Sequence, residues 1–440
     1  MLLLYTPRIT KRKKYIFKLL VNNLIGYRFD LTDNREYYLS YKGAKINYSN
    51  QRLGKDELFF FSYGLLDEKG IKQYELKPDI FENVHTVFKS DNAESSLPYD
   101  PFSAAFYFVS RYEEYLPYTK DRFGRFEADQ SFAYKNGFLN KPVVNHYATQ
   151  IESVIKAKYP NLEVEKQRKF RFIPTYDIDI AYAYKCKGFF RTVGGYIKSL
   201  LELDFKSIKQ RTKVLAGLET DPFDTYDFQL ELSKKYGVKA YYFFPVADYG
   251  TLDKNPSINN TAYQKLIKTI GDYANMGIHT SYASNKIPGK IVEEKYRLSV
   301  VLNREIKYSR QHYLMLDLPH TYHRLMQADI THDFSMGFAS HIGFRAGICS
   351  PFLFYDLNNE SVTNIVIYPL AVMDGTLKDY MKLNVYKSRE KVKKLIDEVY
   401  DVNGTFISLW HNESLCDCNN WKGWKELYSE IFEYAAGKEV

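Results

Sequence analysis

The stretch FRFIPTYDI, residues 170–178, decides the fold class of this chain. Its apolar and aromatic residues predict a buried β-strand, and the chain beyond it alternates strand-like runs with helix-like runs. Six further strand-like runs lie at 239–246, 277–282, 312–316, 329–334, 364–372 and 404–411. Seven strands that alternate with helices predict an α/β fold with a parallel sheet. A barrel is favoured over an open sheet, because reactive residues follow these strands at the ends where (β/α) barrels place their sites.

The residues before this region show a different pattern. The predicted elements are strands at 2–5, 36–42 and 57–63 and helices at 9–24 and 102–116. The polar segment 156–169 separates the two patterns. We therefore expect a smaller α+β accessory domain over residues 1–165, followed by the barrel domain over residues 170–440.

The composition excludes several classes of protein. The 440 residues include 61 Lys or Arg and 53 Asp or Glu, which gives a net charge of +8, and 45% of the residues are hydrophobic. Such a chain is neither intrinsically disordered nor collagen-like. Its clearest basic cluster lies on the first predicted helix, where a solvated helix face explains it better than a nucleic-acid site. We therefore expect no nucleic-acid partner.

The sequence also bears on location. No apolar run approaches the ~20 residues that a membrane span needs. The N-terminal apolar stretch precedes its charges, the reverse of a signal peptide, so a soluble, cytoplasmic protein is expected. Four Cys are too few for a disulfide framework, and free thiols are expected at Cys416 and Cys418.

A pair of carboxylates follows the first strand of the predicted barrel. Asp177 and Asp179 are two residues apart, so both side chains point the same way at the mouth of the strand. Two close carboxylates repel each other unless a cation or a proton lies between them. The pair predicts a metal site with one Asp as ligand and the other beside the bound water; an ordinary acidic loop end is the alternative.

Two histidines lie at the ends of other predicted strands. His279, in GIHTSY, suits a carboxylate-held zinc or similar ion, although a buried structural histidine fits the pattern as well. His411, in SLWH, is predicted to donate a proton, because the pKa of histidine lies near working pH.

Two further residues fit a catalytic role. Arg345 follows the fifth strand and would brace a catalytic carboxylate or bind substrate, with a surface ion pair as the alternative. Asp374 follows the sixth strand and would orient His411 and raise its basicity, with a plain Asp-Gly turn as the alternative.

Four segments carry a family resemblance through their order, spacing and strand-end positions: TYDID (175–179), GIHTSY (277–282), GFRAG (343–347) and SLWHNES (408–414). The set resembles the polysaccharide deacetylase superfamily, the NodB-like domains of carbohydrate esterase family 4. Other segments resemble a bacterial branch of it that has a distinct N-terminal domain, namely RYEEYL (111–116), DRFGRF (121–126), KPVVNHYA (141–148), RQHYL (310–314) and HDFSMGFASHIGFRAG (332–347).

This resemblance implies a deformed (β/α)₇ barrel that hydrolyses N-acetyl, sometimes O-acetyl, groups on amino sugars. The implied roles are the catalytic base at Asp177, the carboxylate metal ligand at Asp179, the first histidine ligand at His279, the arginine that braces the base at Arg345, the catalytic acid at His411 and its acidic support at Asp374. One position departs from the family pattern, because the second metal-binding histidine falls on Ala283. His312 is the expected replacement, with Ser281, Asn285 or water as alternatives. The expected cofactor is a divalent metal ion, zinc in the first instance.

Together these residues predict a metal-dependent hydrolase that removes acetyl groups from N-acetylated amino sugars of a glycan or surface polysaccharide. A carbohydrate is therefore the expected partner, and the aromatic candidates for binding it are Tyr176, Tyr282, Tyr313 and Trp410. The alternatives are a glycan-binding pseudo-enzyme, which Ala283 favours, and a related amide or ester hydrolase on the same barrel. The N-terminal domain would cover the barrel mouth, form an oligomer contact or grip a longer substrate.

Overall fold

The computed structural model describes residues 1–165 and 167–439. The strands of the described chain are β1 (Leu2–Tyr5), β2 (Phe29–Thr32), β3 (Lys45–Ser49), β4 (Leu58–Phe61), β5 (Asp79–Phe81), β6 (Val84–Thr86), β7 (Arg171–Asp177), β8 (Tyr241–Phe244), β9 (Asn275–Thr280), β10 (Tyr308–Gln311), β11 (His332–Asp333), β12 (Phe352–Asp356), β13 (Ser361–Ile367), β14 (Val372–Met373) and β15 (Thr405–His411).

The α-helices are α1 (Lys11–Phe17), which continues as a π-helix over Lys18–Ile25, α2 (Arg35–Ser40), α3 (Pro101–Val109), α4 (Phe132–Lys135), α5 (Val143–Lys158), α6 (Gly188–Leu201), α7 (Phe205–Leu215), α8 (Tyr226–Tyr236), α9 (Thr261–Tyr273), α10 (Lys290–Leu302), α11 (His320–Gln327), α12 (Val385–Asp401) and α13 (Trp424–Ala436). Over the part of the chain described, no helix combines the length and the apolar character needed to cross a membrane.

The larger sheet has nine strands in the order β12-β13-β11-β10-β9-β8-β7-β15-β14. Its ladders are parallel except for β12, which pairs antiparallel with β13. The predicted mixed α/β fold with a parallel sheet is therefore confirmed. One strand was predicted in the wrong place, since 312–316 begins with a 3₁₀ turn over His312–Leu314 and β10 ends just before it.

This sheet curves strongly. Leu370 donates its N–H to the carbonyl of Met336, which follows β11, and the next residue, Ala371, donates to Ile407 of β15. The backbone thus steps within two residues between strands that lie five places apart in the sheet order. No ladder joins β14 to β12 or β13 among the described residues, so a closed (β/α)₇ barrel stays a prediction.

The N-terminal sheet differs from the expectation. Its four strands lie in the order β2-β1-β3-β4 and all their ladders are parallel, which an α+β domain does not predict, whereas β5 and β6 form a separate antiparallel pair. The segment predicted as a strand at 36–42 forms α2 instead. Asn34 caps this helix by accepting a hydrogen bond from Tyr37 N–H at 3.0 Å, and the cap outweighs the β-propensity of the tyrosines.

The two regions pack against each other over one hydrophobic core. Tyr15 of α1 donates its hydroxyl to the carbonyl of Leu353 on β12, and Val144 of α5 donates its N–H to Gly347. The domain boundary near residue 165 therefore stays a prediction, because residues on both sides of it share one hydrophobic core. The free thiols expected at Cys416 and Cys418 are a wrong prediction, because these cysteines form a disulfide, whereas Cys186 and Cys349 are free.

Candidate metal and catalytic centre

Several parallel strands bring polar side chains to one edge of the larger sheet. Asp177 is the last residue of β7 and pairs in register with His411, the last residue of β15. His279 on β9 pairs in register with Arg310 on β10, and His312 follows β10 directly. Because the carboxyl ends of parallel strands share an edge, these residues meet there.

Three of the predicted residues converge on a common point. One ligand atom each from Asp179, His279 and His312 lies within 4.8 Å of the other two. The Nε2 atom of His279 is 3.0 Å from Asp179 Oδ1, and the Nε2 atom of His312 is 3.3 Å from Asp179 Oδ2. This mixed nitrogen and oxygen set is one that zinc accepts.

The other ring nitrogens of the two histidines are already engaged. His279 Nδ1 lies 3.0 Å from the carbonyl oxygen of Arg310, which can only accept a hydrogen bond, so Nδ1 carries the proton. His312 Nδ1 lies 2.9 Å from the buried carboxylate of Asp253. These contacts fix the orientation of both rings. In metal-bound histidines, a hydrogen bond from the other ring nitrogen has the same effect.

The fit to a cation follows from these tautomers. In a neutral imidazole whose Nδ1 carries the proton, Nε2 presents a lone pair, and here both lone pairs face the carboxylate of Asp179. Asp179 Oδ1 is buried, and with His279 in this tautomer it receives no hydrogen bond from the protein. Burial lowers the pKa of His312, but Asp179 and Asp253 outweigh it and raise this pKa to about 10. The site therefore favours positive charge, supplied by a bound divalent cation or, without one, by a protonated His312.

Asp177 lies beside this group without joining it. Its Oδ2 atom is 3.7 Å from His279 Nε2, and its Oδ1 atom is 3.4 Å from the guanidinium of Arg310. Arg310 is fully buried, and its Nε and Nη2 atoms have no partner in the protein. Asp177 is therefore a separate carboxylate beside the candidate metal ligands Asp179, His279 and His312, and the guanidinium of Arg310 faces it.

His411 and Asp374 form the predicted pair. His411 Nδ1 lies 2.8 Å from Asp374 Oδ1, and the backbone N–H of His411 donates to Oδ2 at 2.8 Å. Burial lowers the pKa of His411, but Asp374 and then Asp179 raise it well above its usual value. His411 Nε2 is 3.8 Å from Asp179 Oδ2, so a proton-carrying imidazole faces the same space.

Arg345 does not brace Asp177, and this expectation is wrong. Its Nε and Nη2 atoms donate to Glu114 at 2.8 and 2.6 Å, and its Nη1 atom donates to the carbonyl of Gly337. Arg111 also donates to Glu114, at 2.7 Å. The side chains of Arg345 and Glu114 are each only 1% exposed, so the pair is a buried link between the two regions of the chain. Arg310 holds the place beside Asp177 that was expected for Arg345.

Two of the four aromatic candidates are also misplaced. Tyr176 and Trp410 precede Asp177 and His411 by one residue, and neighbouring strand residues point to opposite faces of a sheet. Both are fully buried on the outer face against α13, where Tyr176 hydrogen-bonds Tyr428 and the Trp410 ring packs on the same tyrosine. Neither ring reaches the site.

Tyr282 and Tyr313 lie at the rim and are partly exposed. Phe123, from the N-terminal region, stacks on Tyr313 with ring centroids 5.0 Å apart and lies 6.4 Å from the ring of Tyr282. Arg125 donates to the carbonyl of Tyr313 at 2.7 Å. Phe123 and Arg125 thus bring the N-terminal region against the rim residue Tyr313.

Four residues of the site were missed. Arg310 lies two residues before His312, a spacing that would have indicated a shared face had the strand been placed at 308–311. Glu413 lies two residues after His411, and burial raises its pKa to about 7 although His411 opposes this. Asp253 and Phe123 lie on loops far away in sequence, and no local pattern links either of them to His312 or Tyr313.

Comparisons with known proteins match this chain only in part or at low similarity. Residues 2–160, less than half of the chain, match the model of a family of unknown function, DUF7033. A search of curated protein sequences finds no match.

Among solved structures, the chain is similar to a candidate polysaccharide deacetylase from Mycobacterium smegmatis, with a TM-score of 0.40 and 12% identity, covering 61% of this chain and 86% of that one. It is similar to a 4-alpha-glucanotransferase from Thermococcus litoralis, with a TM-score of 0.37 and 14% identity, covering 62% of this chain and 38% of that one. A CE4 family pseudoenzyme from Bacillus anthracis gives a TM-score of 0.30 and 11% identity, covering 60% and 61% of the two chains. Because these identities and TM-scores are low, the functional proposal rests on the geometry of the site.

Proposed function

We propose that this protein is a metal-dependent hydrolase that removes acetyl groups from the N-acetylated amino sugars of a glycan. One observation carries the proposal: the metal-ligating set Asp179, His279 and His312 lies between a separate carboxylate, Asp177, and a histidine that Asp374 keeps protonated. A hydrolase that acts on an amide needs these three functions together, namely a cation, a base and an acid.

Asp179, His279 and His312 would hold the cation, with zinc as the first expectation from their nitrogen and oxygen donors. When bound, such a cation polarises the acetyl carbonyl and makes water a better nucleophile. His312 stands in for the histidine expected at position 283, where this chain has Ala283. Asp253 holds the His312 ring in place through Nδ1.

The remaining residues would move protons. Asp177 takes a proton from the attacking water, and the guanidinium of Arg310 holds this carboxylate in place from its other side. His411 then donates a proton to the nitrogen of the leaving amino sugar, so that the C–N bond breaks to a neutral amine. Asp374 stabilises the charged imidazole until that step.

The rim would bind the sugar. Tyr282, Tyr313 and Phe123 offer partly exposed rings beside the metal-ligating set, and aromatic rings pack against the apolar C–H faces of sugars. In this proposal the curved sheet is the deformed (β/α)₇ barrel of the polysaccharide deacetylase superfamily. Residues 1–165 form the accessory domain, which supplies Phe123. Phe123→Ala is expected to raise the KM for an N-acetylated oligosaccharide a few-fold with kcat unchanged, as initial-rate measurements would show.

The decisive experiment combines metal analysis with acetate release from N-acetylated oligosaccharides. The wild type and a His320→Ala control, in which an exposed histidine on α11 is removed, are expected to bind metal and release acetate. His312→Ala should lose both, and Asp177→Asn should bind metal without releasing acetate. Unchanged metal content in His312→Ala would remove His312 from the ligand set, and undiminished acetate release by Asp177→Asn would overturn the mechanism.

The same assay, extended to O-acetylated sugars and to oligosaccharide binding, separates the alternatives. A glycan-binding pseudo-enzyme would bind metal and oligosaccharide and release no acetate from any substrate. A related ester hydrolase would release acetate from O-acetylated sugars only. The pseudo-enzyme rested mainly on Ala283, and the position of His312 weakens that support.

A further inference from the structure

A helical hairpin that the proposed chemistry does not use projects from the larger domain. It consists of α6 and α7 and follows β7 in the chain, directly after Asp177 and Asp179. The hairpin and the turn after it carry ten exposed large apolar side chains, at Phe189, Phe190, Val193, Ile197, Leu200, Leu201, Leu203, Phe205, Leu215 and Leu218. Phe190 and Leu201 are 88% and 80% exposed. Scattered exposed apolar residues are ordinary, but a contiguous group marks an interaction surface.

The exposed residues of α6 form one stripe. At 3.6 residues per turn, its six exposed apolar positions from Phe189 to Leu201 fall within an arc of about 120°. In a globular protein an apolar stripe of this width normally faces the core. Here it faces outwards, and Ser199 is the buried residue of the helix.

Hydrogen bonds and cation–π contacts hold α6 against α7 with the apolar stripe of α6 facing outwards. The guanidinium of Arg211 on α7 lies over the rings of Tyr184 and Tyr196, 5.2 and 5.1 Å from their centroids, and donates to the carbonyl of Thr192. Gly195 makes room for it, since a Cβ there would be 1.6 Å from Arg211 Nη1. The polar faces of α6 and α7 thus contact each other, and the apolar face of the hairpin is the one left exposed for a partner.

The hairpin also holds most of the net charge of the chain. Residues 185–218 contain eight Lys or Arg and two Asp or Glu, a net charge of +6, whereas the whole chain has +8. Exposed lysines include Lys198 on α6 and Lys206, Lys209 and Lys213 on α7. The partner of this surface must therefore accept apolar side chains and carry negative charge.

This combination selects among partners. A second copy of the chain, docked symmetrically through the same face, would place two surfaces of like charge against each other. An anionic phospholipid surface satisfies both demands, because Phe and Leu side chains enter the acyl boundary while lysines reach the headgroup phosphates. We propose that the α6–α7 hairpin binds the protein to the surface of an anionic phospholipid bilayer.

The position of the hairpin has a consequence that rests on the proposed function. Since α6 follows the carboxyl end of β7, the hairpin leaves the sheet at the edge that carries the candidate metal site. Docking would hold that site close to the bilayer, where a glycan attached to the membrane would meet it. The experiment below measures binding to lipid, so its outcome is independent of deacetylation.

The test is co-sedimentation of the full chain with vesicles of phosphatidylcholine alone or mixed with phosphatidylglycerol. Binding to the anionic vesicles is expected to be at least about tenfold tighter and to weaken as salt is added. Phe190→Ser/Leu201→Ser should abolish it, and Lys206→Gln/Lys209→Gln/Lys213→Gln should weaken it about tenfold or more. All five positions are exposed, so these variants should fold normally.

Matched controls change the same kinds of residue elsewhere. Tyr296→Ser/Val300→Ser removes two exposed apolar side chains of α10, and Lys387→Gln/Lys391→Gln/Lys394→Gln removes three exposed lysines of α12. Both should bind anionic vesicles like the wild type, and every variant should keep wild-type acetate release from a soluble substrate.

The proposal would be overturned by no binding to either vesicle, by equal binding to both, or by equal losses in the hairpin and control variants. Sedimentation velocity tests the remaining partner, and a dimer that Phe190→Ser/Leu201→Ser dissociates would assign the surface to self-association and also overturn it. If the wild type binds anionic vesicles but releases no acetate from N-acetylated substrates, the result instead counts against the proposed hydrolase.

Discussion

The protein contains two buried charge clusters whose hydrogen bonding differs. In the cluster that joins the two regions of the chain, Glu114 accepts from Arg111 and twice from Arg345, and all three nitrogens of the Arg345 guanidinium have acceptors. Burial raises the pKa of Glu114, but Arg345 and Arg111 outweigh it and lower this pKa below its usual value. Among Arg111, Glu114 and Arg345, only Arg111 Nη2 lacks a hydrogen bond, and it lies 2.9 Å from Glu113 Oε1. These charges neutralise one another without any ligand.

The cluster at the strand ends leaves more of its polar atoms unpaired. Asp179 Oδ1 and two nitrogens of Arg310 are buried without partners in the protein. The Nε2 atoms of His279 and His312 both face Asp179. Buried polar groups are almost always hydrogen-bonded, and a cation bound between Asp179, His279 and His312 would give Asp179 Oδ1 a partner. GFRAG, one of the segments that carry the family resemblance, thus supplies a structural link, whereas the residues that could hold a cation gather at the strand ends.

The largest expected effect separates the clusters by stability. Arg345→Met leaves Glu114 with a single arginine in a buried place, so the free energy of unfolding should fall by about 3–5 kcal/mol. Urea unfolding followed by circular dichroism measures this, with Arg304→Met, which changes an exposed arginine, as the control. Metal content per folded molecule should stay the same. A stable Arg345→Met protein that has lost activity would return Arg345 to the catalytic group.

The converse variant should act on activity. Arg310→Met removes the cation that faces Asp177, and loss of such a supporting contact should lower kcat for acetate release about a hundredfold. The change in unfolding free energy should be smaller than for Arg345→Met, because Arg310 makes a single ion-pair contact at 3.4 Å. Wild-type activity in Arg310→Met would show that Asp177 does not depend on this arginine.

A smaller effect is expected at the metal-ligating set itself. Asp253→Asn removes the carboxylate that accepts from His312 Nδ1, and metal affinity should fall about tenfold. Competition with a chelator of known affinity measures the change. Asp248→Asn is the matched control, since that carboxylate lies in the same loop and is 64% exposed. Equal affinities in the two variants would contradict the role given to Asp253.

The smallest expected effect is a shift in pH dependence. Burial lowers the pKa of His411, and Asp374 is the largest of the contributions that raise it above its usual value. Asp374→Asn should therefore lower this pKa. Because the proposed acid works in its protonated form, the alkaline limb of the kcat profile should move to lower pH. Asp379→Asn, at an exposed position nearby, should leave the profile unchanged, and an unshifted limb in Asp374→Asn would exclude His411 as the acid.

Much of the fold was predictable because it depends on local patterns. Alternating apolar strands and helices indicated a parallel α/β sheet, and the strand holding Asp177, predicted at 170–178, lies at 171–177. The errors arose where local signals compete. The cap at Asn34 converted an aromatic strand-like run into a helix, and the apolar residues of HYLML were read as a strand although β10 lies before them.

The charged residues and the strand ends that they follow can be read along the chain, because spacing along a strand sets the direction of side chains such as Asp177 and Asp179. Tertiary structure alone decided their partners. Glu114 accepts hydrogen bonds from Arg345, and Arg310 lies beside Asp177. Distant loops supply Asp253 and Phe123, which contact His312 and Tyr313. Electrostatic and packing contacts depend on distances in space, and those distances are set only when the whole chain has folded.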